Sequence, residues 1–96
     1  MQLLKRINNS DLKPDLILID GRFRIATFLA CCLSFPGSTI LFDDYLNRES
    51  YHAVENIVKP IRHTGRIGEF RIPSRLSKKK IVMLINLLTK HAYDPS

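Results

Sequence analysis

An α/β fold built on a small, mostly parallel sheet is predicted by three features of the 96 residues. Two short apolar runs, Asp15-Leu-Ile-Leu-Ile-Asp20 and Ser38-Thr-Ile-Leu-Phe-Asp-Asp44, each end in acid, and a helix-length apolar segment between them closes on Pro36-Gly37. Strands covered on both faces of a parallel sheet read as continuous aliphatic and β-branched runs, and a right-handed helical crossover is the usual way to join two of them. The runs and their connector therefore read as one βαβ unit. In such sheets ligands sit beyond the carboxyl ends of the strands, where Asp20, Asp43 and Asp44 fall.

Composition sets the scale. With 45% apolar and 25% charged residues, residues 1–96 suit one small domain with a single core. No stretch approaches the roughly 18 consecutive apolar residues of a membrane span, and the opening Met1-Gln-Leu-Leu-Lys-Arg lacks a signal-peptide core, so a cytoplasmic location is expected. Fifteen Lys and Arg against nine Asp and Glu give a formal charge of +6, which favours contact with anions but also suits a solvated surface. The only cysteines, Cys31 and Cys32, are neighbours in the apolar segment, where they would bridge only with strain; they are expected to be reduced core residues.

Along the chain, Leu3, Leu4 and Ile7 precede a polar Asn8-Asn9-Ser10-Asp11, which fits a helix or a strand followed by a loop. Pro14 leads into the first run and Gly21 breaks it. From 22 to 35 the residues leave almost no polar stripe, so this helix should be covered on most sides, which needs more protein than 96 residues readily provide. After the second run, Tyr45-Leu46-Asn47 forms a loop. Asn47 or Ser50 then caps a helix in which Tyr51, Val54, Ile57, Val58 and Ile61 recur at three- and four-residue spacing, until Pro60 ends or kinks it. A turn at His63-Thr64-Gly65 precedes a third strand over 66–72, with Gly68, Phe70 and Ile72 on one face and Ile67, Glu69 and Arg71 on the other. Pro73 stops it. The last helix starts at Ser74 or Ser77 and runs to about Lys90, burying Ile81, Leu84, Ile85 and Leu88, with Val82, Met83 and Leu87 widening that line. Lys78, Lys79 and Lys80 stand at its start, where the helix dipole disfavours positive charge by a few tenths of a kcal/mol each.

The segments Asp15-Leu-Ile-Leu-Ile-Asp-Gly-Arg-Phe-Arg24, Thr39-Ile-Leu-Phe-Asp-Asp-Tyr45, Tyr51-His-Ala-Val-Glu-Asn56 and Gly65-Arg-Ile-Gly-Glu-Phe-Arg71 together resemble the carboxyl-terminal half of a class I S-adenosylmethionine-dependent methyltransferase-like domain. The resemblance covers about residues 14–72. It implies a partial Rossmann-like three-layer sandwich, a small mostly parallel sheet with flanking helices, in which the first two strands match the family's fourth and fifth and residues 66–72 its sixth. The family holds its cofactor mainly by a glycine-rich turn after the first strand and an acid at the end of the second. Neither can be placed here, since the residues before 14 contain no glycine, and without such a turn the backbone cannot approach the ligand closely. The resemblance therefore implies a truncated or split transferase domain, inactive alone, which would use S-adenosylmethionine to methylate an oxygen or nitrogen nucleophile only if a missing half is supplied.

The candidate catalytic residues are Asp20, Asp43, Asp44 and His52. Asp20 is placed to act as a general base on an acceptor hydroxyl, and His52, at a helix start on the same side of the sheet, suits substrate contact or proton transfer. Arg22, Arg24 and Tyr45 are assigned to the acceptor substrate, although the two arginines could instead pair with the acids. Three carboxylates at adjacent strand ends can hold Mg²⁺ or Ca²⁺, but the expected arrangement is that Asp43 or Asp44 caps a loop while Asp20 pairs with Arg22 or Arg24, so no metal is assigned. His63 and His91 are given no chemistry. The alternative reading is a non-catalytic basic module that binds nucleic acid through Arg71, Arg75, Lys78, Lys79 and Lys80, or a protein partner. An unpaired edge at the first strand would also admit a second copy or a complementing chain.

Overall fold

The computed structural model describes residues 3–7 and 14–93. The elements run β1 (Leu3–Ile7), β2 (Pro14–Ile19), α1 (Arg24–Ser34), β3 (Thr39–Phe42), a 3₁₀ helix (Glu49–Asn56), β4 (Arg62–Thr64), β5 (Ile67–Arg71) and α2 (Lys78–His91). The predicted βαβ unit is present: β2 and β3 are parallel neighbours, in register from Leu16 opposite Thr39 to Ile19 opposite Phe42.

The rest of the sheet departs from the expectation. It has five strands in the order β1-β2-β3-β5-β4, and the pairs β1–β2, β3–β5 and β4–β5 are antiparallel, so only one of the four pairings is parallel. The cause is local. The turn between β4 and β5 carries Gly65 at a φ of 59°, which makes the two strands a hairpin and forces them to run in opposite directions. The strand that shares β3's direction is therefore β4, at the edge, and β5, expected to match the family's sixth strand, fills the gap between them. At the other side β1 covers the edge of β2 that was expected to be open, leaving β1 and β4 as the sheet edges.

The α/β class and flanking helices are as expected, but the helices lie on one face. Ile17, Ile19, Ile40, Phe42, Gly68 and Phe70 point to that face and are buried. Phe42 is the hub, with its ring 5.7 Å from Phe28 of α1, 5.0 Å from Tyr51 of the 3₁₀ helix, 5.3 Å from Tyr45 and 6.3 Å from Phe70. Leu84 completes the same core from α2, with Met83, Leu87 and Leu88 packed against it. Because α2 packs beside α1 on this core, no described helix covers the other face, where Leu16, Leu18, Leu41 and Ile67 are half-buried. The described residues thus form two layers, not three.

The segment expected to be an α-helix from Tyr51 is a 3₁₀ helix, whose three-residue turn stacks positions i and i+3. Tyr51, Val54 and Ile57 obey that spacing and are buried together, whereas Ile61, beyond Pro60, is exposed. Of the two expected starts of α2, Ser74 and Ser77, the helix uses Ser77, which caps it: the Lys80 amide donates to Ser77 Oγ at 3.2 Å. The adverse lysine charge also finds a use, since Lys80 Nζ donates to the Asn56 carbonyl at 2.7 Å, at the carboxyl end of the 3₁₀ helix, where a cation is favoured. Cys31 and Cys32 are both thiols buried in the core, and burial, helped by Cys31, pushes the Cys32 pKa up to about 12.

Candidate functional site

Parallel pairing of β2 and β3 brings their carboxyl ends side by side, and Arg24, the first residue of α1, ties them together. After Asp20 the chain turns through Gly21 at a φ of 98°, and Phe23 enters the helix in the left-handed region at 60°. This sharp entry turns the Arg24 guanidinium back over the strand ends. Its Nε donates to the Gly21 carbonyl at 2.7 Å, Nη1 to the Asp43 carbonyl at 2.8 Å and to Asp44 Oδ2 at 3.2 Å, and Nη2 to Asp20 Oδ1 at 3.0 Å. The guanidinium carbon also lies 5.8 Å from the centre of the Tyr51 ring.

A second cation arrives from the β4–β5 hairpin. Arg66 Nε is 3.1 Å from Asp43 Oδ1 and 3.2 Å from Asp44 Oδ1, and the hydrogen bond and charge of Asp43 raise its pKa. Two arginines thus face three carboxylates. Asp43 and Asp44 are largely turned into this network, with side chains 17% and 27% exposed, while Asp20 is 45% exposed. Asp20 is therefore the carboxylate best able to accept a hydrogen bond or proton from an arriving hydroxyl or amine. The ionic arrangement joins Asp20 to Arg24, one of the two pairings left open by the sequence; Arg22 is exposed and forms no ion pair with an acid among the described residues. No group of three or more His, Cys, Asp or Glu among the described residues is arranged to hold a metal ion.

Tyr45 and His52 belong to a neighbouring cluster. Tyr45 is fully buried, so it supports the tip from inside the core, and its hydroxyl donates to a Glu55 carboxylate oxygen. Burial and that bond push its pKa well above the usual phenol value. The His52 ring lies 4.7 Å from the Tyr45 ring, with Nε2 3.0 Å from the Tyr45 carbonyl oxygen, and His63 stacks on Tyr45 at 6.0 Å. His52 and Glu55 reach the same tyrosine because they are three residues apart on a 3₁₀ helix. No ion pair or hydrogen bond among the described residues links His52 to the strand-end acids.

The sequence did not single out Arg66 or Glu55. Arg66 acts across 23 residues, and nothing in its neighbouring residues signals that the hairpin turn lies over the end of β3. Glu55 was recoverable only from the i, i+3 relation to His52. Of the basic stretch, Arg71, Arg75, Lys78 and Lys79 are exposed, Lys80 is engaged by Asn56, and the nearby Phe70 ring is fully buried.

The strand tips do not by themselves fit S-adenosylmethionine. Their glycine, Gly21, gives its carbonyl to Arg24, and the guanidinium bridges the two tips. A concave space of about 390 Å³ lies elsewhere, between α1 and α2, lined by Phe23, Ala26, Ala30, Leu88 and Ala92, none of which offers a polar side chain to a ribose or a methionine carboxylate. No helix among the described residues is long and apolar enough to cross a membrane.

No protein-family model matches the chain, and no curated protein is similar to it. Among solved structures, it is similar to the crystal structure of a methyltransferase-like protein (spo2022) from Silicibacter pomeroyi DSS-3, with 34% sequence identity and a TM-score of 0.63. The match covers 85% of this chain and 43% of that one, so the chain spans less than half the length of its structural relative. On these grounds the chain has a methyltransferase-like fold, a small mixed α/β sheet with flanking helices.

Proposed function

We propose that this chain is the acceptor-substrate side of a cytoplasmic, class I S-adenosylmethionine-dependent methyltransferase-like domain, inactive by itself and completed by a half that holds the cofactor. The observation that carries the reading is the organised strand-end cluster, Asp20, Asp43 and Asp44 around Arg24, in a fold shared with a methyltransferase-like protein more than twice the matched length. The reaction of the completed domain is methyl transfer to an oxygen or nitrogen nucleophile. Asp20 accepts the hydrogen bond of the nucleophile, Arg24 fixes its position, Arg22 meets an anionic part of the acceptor, and Asp43 and Asp44 hold Arg24 and Arg66. His52 and Tyr45 set the loop after β3 from beneath. The sheet edge at β1 is where a completing chain or a second copy would add a strand.

The alternative of a basic module for nucleic acid draws less support, because Phe70 offers no stacking surface and Lys80 is committed to a backbone carbonyl. Calorimetric titration of the isolated chain with S-adenosylmethionine should give no stoichiometric binding. On a resin carrying S-adenosylhomocysteine, the chain should be retained from a lysate only together with a second chain. Tight uptake of the cofactor by the purified chain alone would refute the split.

A further inference from the structure

Helix α1 buries Ile25, Thr27, Phe28, Leu29, Cys31 and Cys32 and turns a single face to solvent, and that face is apolar. Ala26, Ala30 and Leu33 follow one another along it at helical spacing, with Leu33 44% exposed. Phe23 and the first two of these form one wall of the 390 Å³ groove, and Leu88 of α2 and Ala92 just after it form the other. One turn before Leu88 on the same side of α2 stands Ile85, 49% exposed. A helix that is apolar almost all round belongs under cover on most of its sides, and this stripe is the part of α1 that the described residues leave bare.

Charge decides what covers it. Neither Arg24–Ser34 nor Lys78–His91 contains an acidic residue. Exposed Arg22 stands at the α1 end of the stripe, and exposed Lys78 lies two turns before Ile85 on the same face of α2. A second copy would bring these cations against their own kind in a chain of formal charge +6. We infer that the groove between α1 and α2 is a docking surface for an amphipathic helix of an acidic protein partner, whose apolar side chains at i, i+3 or i+4, and i+7 enter beside Ala26 and Ala30 and whose flanking Asp or Glu residues meet Arg22 and Lys78. The apolar part of this surface lies on the helices and does not depend on the methyltransferase reading; Arg22, at its margin, is the one residue the two share.

The test is selection on the intact chain from a display library of amphipathic helices with one apolar stripe and flanks randomised between acidic and basic residues. Acid-flanked sequences should be enriched, and a peptide made from them should bind, in fluorescence anisotropy, at least about tenfold more tightly than its Lys-flanked counterpart. Ala30→Glu and Leu33→Gln, both at exposed positions, should each weaken binding of the acid-flanked peptide at least about tenfold while leaving the circular dichroism and urea midpoint of the chain unchanged. Absence of enrichment, equal enrichment of basic flanks, or undiminished binding by both variants would overturn the inference. So would a dimer in sedimentation velocity that Ala30→Glu dissociates, since a second copy would then be the occupant.

Discussion

Replacing Arg24 by Met keeps the unbranched apolar stem of the side chain and removes the guanidinium that ties β2 to β3. Four hydrogen bonds disappear, two to backbone carbonyls and two to carboxylates. A bond from a charged donor contributes about 1.5–3 kcal/mol where its partner is left buried, and much less where water can replace it. The Arg24 side chain is only 13% exposed, yet Asp20 is open to solvent and recovers most of its loss by hydration. The two carbonyls and Asp44 dominate, and the expected cost is about 3 kcal/mol, a substantial part of the roughly 5–15 kcal/mol that holds a domain together. For a chain of this size that corresponds to a fall in Tm of about 12–24 °C. Arg24→Lys keeps the charge but not the fork, and should recover about half of the loss. The assay is urea unfolding followed by circular dichroism, read at constant m. An Arg24→Met loss below about 0.5 kcal/mol, or an Arg24→Lys variant as stable as the parent, would refute the view that this one guanidinium organises the site.

Two further outcomes follow from the same region. A Cβ at Gly68 would lie 2.9 Å from Tyr45 Cδ2, 3.0 Å from Cγ and 3.2 Å from Phe70 Cε1, so Gly68→Ala should lower the urea-derived stability by about 1–3 kcal/mol; an unchanged midpoint would show that the Tyr45 ring is free to move aside. Tyr45 has a folded-state pKa raised above its ordinary 10.0, so its contribution to stability is fully present below that pH and is lost as pH climbs from there toward the folded-state value. Unfolding measured between pH 8 and 11 should therefore show an alkaline fall in stability that Tyr45→Phe diminishes, and an identical fall in the variant would argue against it.

The parts of this fold that were legible in the sequence are those written in contiguous residues. The aliphatic runs gave β2 and β3, their acidic ends gave the strand tips, the unbroken apolar stretch gave α1 within two residues at its start, and Ser77, one of two candidate starts, opens α2. What was hidden depends on partners far apart in sequence. The first apolar residues suited a helix or a strand equally until β2 was seen to pair with them. The run at 66–72 showed a strand but not its direction, because that is set by the two-residue turn from Arg62–Thr64, too short and polar to read as a strand. The choice between a 3₁₀ and an α-helix at Glu49–Asn56 rests on Tyr51, Val54 and Ile57, whose three-residue spacing was present but shared the page with Val58 and Ile61. Within the site, the pairing of Asp20 with Arg24 was one of the stated alternatives. The reach of Arg66 from the hairpin was not.

The partners of Arg24 also carry a timetable. Asp20, Gly21, Asp43 and Asp44 all precede residue 45, so every hydrogen-bond acceptor of the guanidinium has been synthesised before the 3₁₀ helix, the hairpin or α2 exists. A chain emerging from the ribosome can join the ends of its two parallel strands at that stage, whereas Phe42 must wait for Phe70, and the core for Leu84. The end of the sheet that bears the acids can thus be tied together before the residues that complete the core are made, and the later segments are laid onto it.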